Sequence, residues 1–137
     1  KTFTSTLAGV ALAAGTMIVP VAVNAVEANR ADDITVTAHR GARAYAPENT
    51  LAAFAVGIEQ RADWIESDVQ ATKDGELVLM HDTTLSRTTD VEQRFPGRSP
   101  WNVKDFTLAK IKTLDAGSWF SEEYAGERVP TLKEMVE

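Results

Sequence analysis

Trp64-Ile65-Glu66-Ser67-Asp68-Val69, then Thr72-Lys73-Asp74-Gly75-Glu76, then Leu77-Val78-Leu79-Met80-His81 is the stretch on which the fold turns. Two apolar runs flank an Asp-Gly pair, the strongest short-range hairpin signal, because a type I′ turn needs positive φ at both central residues. With Asp74-Gly75 as a two-residue loop, Lys73 pairs with Glu76, and counting outward sets Asp68 opposite His81. Directly opposed residues have Cβ atoms about 4.5–5.5 Å apart. Alternate strand residues point the same way, so Glu66 and Asp68 share a face.

Upstream, Ile34-Thr35-Val36-Thr37-Ala38 is a β-branched alternation that predicts a first strand ending at His39. Arg40 to Asn49 reads as a loop. Thr50 is a credible N-cap for a helix whose apolar residues Leu51, Phe54, Ala55 and Ile58 recur at helical spacing and which closes near Arg61. Downstream, Thr83 to Pro100 is rich in polar residues, Pro and Gly and reads as an irregular excursion. Asn102 to Ile111 predicts a short helix, and Leu114 to Phe120 a strand or tight loop with Trp119 and Phe120 as packing anchors. Thr131 and Glu134 have the spacing of a capping box at the start of a last helix. The chain stops about one and a half turns into that helix, which reads as a truncation.

The composition is that of a globular protein, with 44% hydrophobic and 25% charged residues among 137. A net charge of -6 argues against a nucleic-acid partner. Residues 1–25 differ from the rest: Lys1 precedes an apolar run from Leu7 through Val23, and Val23-Asn24-Ala25 suits a signal peptidase, with cleavage after Ala25. The alternative is an uncleaved membrane anchor, which Gly15 and Pro20 disfavour. After cleavage no stable membrane insertion is expected. Residues 26–33 read as a linker, and the lack of an initiating Met suggests that a few precursor residues are missing. The chain contains no cysteine, so neither a disulfide framework nor a thiolate nucleophile is available. A secreted or cell-envelope protein of bacterial type fits these features.

His39 and His81 each close an apolar strand and open a polar loop, where α/β sheets place catalytic groups. Imidazoles, with an ordinary pKa of about 6.5, can serve as base and acid on opposite sides of a phosphorus centre. Glu66 and Asp68 lie between apolar neighbours, and carboxylates carried inward need a cation or strong hydrogen bonds. Their hard oxygens select a divalent cation such as Ca2+ or Mg2+, although two acids alone do not complete its shell. The Arg40 guanidinium is shaped to hold two phosphate oxygens. Glu48 reads equally as a site residue and as an acid favouring the helix N-terminus. Arg87, among threonines, reads as a loop contact.

His39-Arg40-Gly41, Pro47-Glu48-Asn49-Thr50, Glu66-Ser67-Asp68-Val69, Thr72-Lys73-Asp74-Gly75, His81-Asp82 and Arg87-Thr88-Thr89, in this order and spacing, resemble the glycerophosphodiester phosphodiesterases. Leu114 to Phe120 and Val129 to Glu134 are similar to that family's later motifs, so the likeness spans roughly residues 34–137. The resemblance implies an α/β fold, a (β/α)8 TIM-type barrel of which this chain holds the N-terminal portion, with a small insertion after the third strand. It implies hydrolysis of a small glycerophosphodiester to sn-glycerol 3-phosphate and an alcohol. His39 and His81 would then be the acid–base pair, Glu66 and Asp68 metal ligands, and Arg40 and Glu48 substrate contacts or site organisers. A barrel of this class needs about 250 residues, and the family's third acidic ligand lies on a later strand. The fragment alone is therefore expected to be inactive and prone to aggregate. A sphingomyelinase-type phospholipase D and a non-catalytic binder of phosphodiester polymers are the rival readings.

Overall fold

A parallel strand pair joined by a helix heads the fold. In the computed structural model, which describes residues 34–137, β1 (Thr37–Ala38) lies beside β2 (Trp64–Ile65), Thr37 opposite Trp64 and Ala38 opposite Ile65. The crossover between them is α1 (Leu51–Glu59), which buries Ala53, Phe54 and Gly57. Thr50 caps it as expected, its hydroxyl accepting from the Ala53 amide. The first strand is shorter than its sequence suggests: the Val36 carbonyl accepts from Asp63 and Trp64, but Ile34 and Val36 are exposed. The expected leader, residues 1–25, and linker, residues 26–33, lie outside the described residues. Among the described residues no helix is long and apolar enough to cross a membrane.

The expected single strand from Trp64 to Val69 is divided, because the chain changes partners midway. The Glu66 amide donates to Ala38 of β1, whereas the Asp68 carbonyl accepts from Met80. Val69 to Ala71 then form β3, antiparallel to β4 (Leu77–Leu79).

That hairpin exists, but its register is one residue away from the expected one. Val69 faces Leu79 and Ala71 faces Leu77, so Asp68 lies opposite Met80 and not His81. The loop has three residues. Gly75 N–H donates to the Thr72 carbonyl, Thr72 N–H donates to Glu76, and Gly75 alone takes positive φ, at +85°. This is a type I turn followed by a glycine bulge, and the extra residue shifts every cross-strand pair. Asp74 is recruited elsewhere: its Oδ1 accepts from the Thr72 hydroxyl and the Leu108 amide.

The same contact explains why the helix expected from Asn102 to Ile111 is broken. A 3-10 turn at Val103–Asp105 and α3 (Leu108–Ile111) flank Phe106 and Thr107, which are extended. At the break the Phe106 carbonyl accepts from Lys73, and its ring is fully buried. The excursion from Thr83 to Pro100 is more ordered than its composition predicts, containing α2 (Val91–Arg94). Leu85, Val91, Phe106, Ile111 and Leu114 pack with Val78 and Met80 of the hairpin into one core cluster. Phe95 meets Phe106 edge-on, and Arg98 lies 4.1 Å over the Phe106 ring.

Leu114 to Phe120 is a tight loop and not a strand. Asp115 organises it, its carboxylate accepting from the Gly117, Ser118 and Gly126 amides and the Ser118 hydroxyl. Phe120 stacks edge-on against Trp119 and Tyr124, but Trp119 is 41% exposed and is no core anchor. Last comes α4 (Leu132–Val136), with the expected capping box between Thr131 and Glu134. Lys112, at the end of α3, ties α4 to that helix through the Glu134 carboxylate and also donates to the Val129 carbonyl.

Burial opposes ionisation of Asp115, but the amides of Ser118, Gly126 and Gly117 outweigh it and hold its pKa at about 2, against 3.8 ordinarily. A depressed folded-state pKa contributes stability that is complete above pH 4 and lost as pH falls from about 4 to about 2. Asp115→Ala is expected to reduce the unfolding free energy by about 2 kcal/mol at pH 7. Urea titrations across this range should show the wild-type and variant stabilities converging near pH 2.

Candidate active site

His39, Arg40 and Gly41 leave β1 through a sharp turn in which Arg40 (φ 56°) and Gly41 (φ 73°) are both left-handed. Only glycine fits the second position: a Cβ there would lie 2.7 Å from Ala53. The turn aims two successive amides at Glu66, Arg40 N–H reaching Oε2 at 2.9 Å and Gly41 N–H the backbone carbonyl at 3.2 Å. His39 Nε2 stands 3.8 Å from the same Glu66 Oε2. One carboxylate thus gathers the first histidine and the loop that follows it.

The Arg40 side chain, 11% exposed, runs beneath this turn between two acids. Its Nη1 donates to Glu48 Oε1 at 3.1 Å, and its Nε lies 3.3 Å from Asp68 Oδ2. The second approach is coulombic: Nε is buried and makes no well-formed hydrogen bond. Asp68 is held instead by Asn49, in a reciprocal pair. The Asn49 amide donates to Asp68 Oδ2 at 3.1 Å, and Asp68 N–H donates to the Asn49 side-chain oxygen at 3.2 Å. Asn49 also adopts positive φ, 57°, a conformation that asparagine tolerates better than most residues.

Glu48 does not cap the helix. Both its oxygens go to arginines, since Arg87 Nη1 donates to Oε2 and Arg87 Nη2 to Oε1. Burial of Glu48 favours its neutral form, but the bonds from Arg87 and Arg40 outweigh burial and lower its pKa. Arg87 also holds Asp82, through Nε to Oδ2 at 2.7 Å and Nη2 to Oδ1 at 3.1 Å. Asp82 in turn meets His81 Nδ1 at 2.6 Å. Chiefly through the Arg87 bonds, the Asp82 pKa falls to about 2.

Acids and bases therefore alternate along one chain of contacts: Asp68, Arg40, Glu48, Arg87, Asp82, His81. Of the six residues singled out from the sequence, Arg40, Glu48, Asp68 and His81 lie on this chain, while Glu66, with His39 beside it, joins through the Arg40 backbone amide. The Asp68–His81 contact expected from the hairpin is replaced by the longer route through Arg87. Arg87, Asp82 and Asn49 are the residues that sequence reasoning left without a role in the site. Their signals were present as Arg87 two residues after Leu85, Asp82 beside a histidine, and Asn49 one residue before a helix cap.

Among the described residues, no group of three or more metal-ligating side chains forms. Glu66 and Asp68 supply hard oxygen donors of the type a divalent cation takes, so they fit part of such a shell.

The described residues form part of an α/β fold that gathers imidazoles, carboxylates and guanidinium groups beyond its strand ends. The model of the glycerophosphoryl diester phosphodiesterase family matches residues 39–137, and the chain belongs to that family. A glycerophosphodiester phosphodiesterase of Caldanaerobacter subterraneus is 55% identical over 102 residues, which cover 74% of this chain and 39% of that protein. One from Bacillus subtilis is 46% identical over 114 residues, covering 77% and 36%. A solved Oleispira antarctica phosphodiesterase, in complex with the product sn-glycerol-3-phosphate, is similar with a TM-score of 0.66 and 44% identity, over 75% of this chain and 38% of that one. The chain thus spans about two-fifths of the length of the relatives it matches.

Replacing Asn49 separates its two contributions. Asn49→Ala is expected to destabilise the fold by about 2–3 kcal/mol, from left-handed strain and two lost hydrogen bonds. Asn49→Gly removes the strain alone and should recover about 1 kcal/mol of that loss in thermal or urea unfolding.

Proposed function

We propose that this chain supplies the first part of a (β/α)8 barrel that hydrolyses glycerophosphodiesters to sn-glycerol 3-phosphate and an alcohol. The observation that carries this reading is the joining of both strand-end histidine segments to Glu66, Asp68 and Arg40 within one network. Family membership and the product named for the Oleispira relative support the substrate class.

His39 and His81 are assigned the proton transfers. One takes the proton of the attacking hydroxyl, and the other gives a proton to the departing alcohol oxygen. Arg40, already matched by Glu48 and Asp68, orients the phosphoryl group by its remaining N–H donors. Glu66 and Asp68 would hold a divalent cation, Ca2+ or Mg2+, which when bound supplies positive charge to the phosphoryl oxygens. Two acids leave that shell short, so the 137 residues by themselves are inactive in this reading. The partner is a small phosphodiester, and the net charge of -6 supports neither nucleic acid nor an anionic membrane surface.

The full-length protein is expected to release sn-glycerol 3-phosphate from glycerophosphocholine, with activity abolished by EDTA and reduced at least about 10²-fold by His39→Ala. Turnover that survives both treatments would overturn the assignment.

We also propose that residues 1–25 direct the chain out of the cytoplasm and are removed there. Amino-terminal sequencing of the exported protein should begin at Val26. A cytoplasmic product retaining Lys1 would refute it.

A further inference from the structure

We propose that Asp82 and Arg87 are positioning residues that fix the His81 ring with its proton on Nδ1 and its Nε2 free for proton transfer. The inference rests on the phosphodiesterase reading only for what His81 does; the orientation of the ring is argued from geometry.

The ring nitrogen Nδ1 lies 2.6 Å from Asp82 Oδ1. An ionised carboxylate only accepts, so Nδ1 must donate, and the neutral imidazole is left with its lone pair on Nε2. Asp82 cannot rotate away, because both its oxygens are gripped in parallel by Arg87 Nε and Nη2. Arg87 is fixed in turn at its other edge by both oxygens of Glu48. The guanidinium thus makes four hydrogen bonds to two carboxylates, which leaves it one N–H and makes it a poor grip for a phosphate.

The backbone beneath Arg87 is equally constrained. Leu85 is fully buried, and its amide donates to the Trp101 carbonyl. The Thr89 hydroxyl donates back to Leu85, and Thr88 reaches the Met80 sulfur. Met80 immediately precedes His81, so the excursion that begins at Thr83 returns to the strand end it came from. Through Arg87 the buried excursion core sets the direction of a side chain outside that core. Asp82 is 28% and Arg87 43% exposed, so the pair contributes little to overall stability; its effect is on geometry.

The test uses the full-length protein labelled with 15N-histidine, the His81 signals being assigned by their loss in His81→Gln. Ring nitrogen shifts are expected to show His81 with a protonated Nδ1 in the wild type, and a mixture of tautomers or the Nε2-protonated form in Asp82→Asn and Arg87→Ala. With glycerophosphocholine, kcat should fall about 10²-fold or more in Asp82→Asn and about tenfold in Arg87→Ala, with KM and thermal midpoint little changed. Arg87→Lys, which keeps the charge but not the two-edged grip, should lie between Arg87→Ala and wild type. A wild-type His81 protonated at Nε2 would overturn the proposal, as would Asp82→Asn retaining both the Nδ1 proton and kcat within threefold. If the wild type fails to turn over glycerophosphocholine, the phosphodiesterase reading fails, and the nitrogen shifts still decide the orientation of His81.

Discussion

A guanidinium almost wholly removed from water cannot stay unpaired, and the arrangement of the strand ends follows from how Arg40 is neutralised. Its two acids come from different places: Glu48 from the loop before α1, Asp68 from the segment beyond β2. Both must be present at once, because a lone buried cation is far more costly than a matched one. The β1–α1–β2 crossover is what brings them together. Arg40 is therefore a device that makes the site geometry conditional on the crossover being closed, and the left-handed Arg40-Gly41 turn is the backbone feature that allows it.

The apolar stabilisation lies elsewhere. Around the parallel pair the buried apolar side chains are few and mostly small, Ala42, Ala46, Ala53 and Phe54, whereas the large buried residues cluster between Val78 and Val129. Two-stranded sheets of two or three residues are marginal without a packed face. β4 obtains that face from the excursion, through Val78 and Met80. The two histidines consequently have unequal support. His81 follows directly from a strand packed into the main core, and His39 follows one whose neighbours Ile34, Val36 and Trp64 remain exposed.

The elements legible in the sequence were those decided by neighbours along the chain. Thr50 and Thr131 announce their helices because capping is a local hydrogen bond within three residues. The histidines announce themselves by closing apolar runs. What escaped was decided by partners distant in sequence. Asp74 could form a two-residue loop with Gly75, but the Leu108 amide, 34 residues away, holds its carboxylate and a bulged three-residue loop results. Phe106 sits in a helical pattern, yet it is drawn into the core and its carbonyl serves Lys73, so the helix breaks. Arg87 and Glu48 are 39 residues apart, and no periodicity links them. The residue types of the site were thus visible in advance, and the wiring among them was not.

The wiring also bears on how such a site treats an anionic substrate. Four carboxylates, Glu48, Glu66, Asp68 and Asp82, share the site with two guanidinium groups, an excess of two formal negative charges apart from the histidines, and among the described residues the Glu66 carboxylate meets only the Arg40 backbone amide and His39. A phosphodiester carries a negative charge of its own and would be repelled by that excess at short range. Each arginine is committed to carboxylates, so neither offsets the excess as a free cation would. A divalent cation at Glu66 and Asp68 would cancel it, which gives these two acids a role that the arginines, placed as they are, do not fill. In the proposed reading Arg40, besides its contact to the phosphoryl group, holds a carboxylate where a cation would need it, and Arg87 acts on the protein itself by holding an imidazole where the proton transfer would need it.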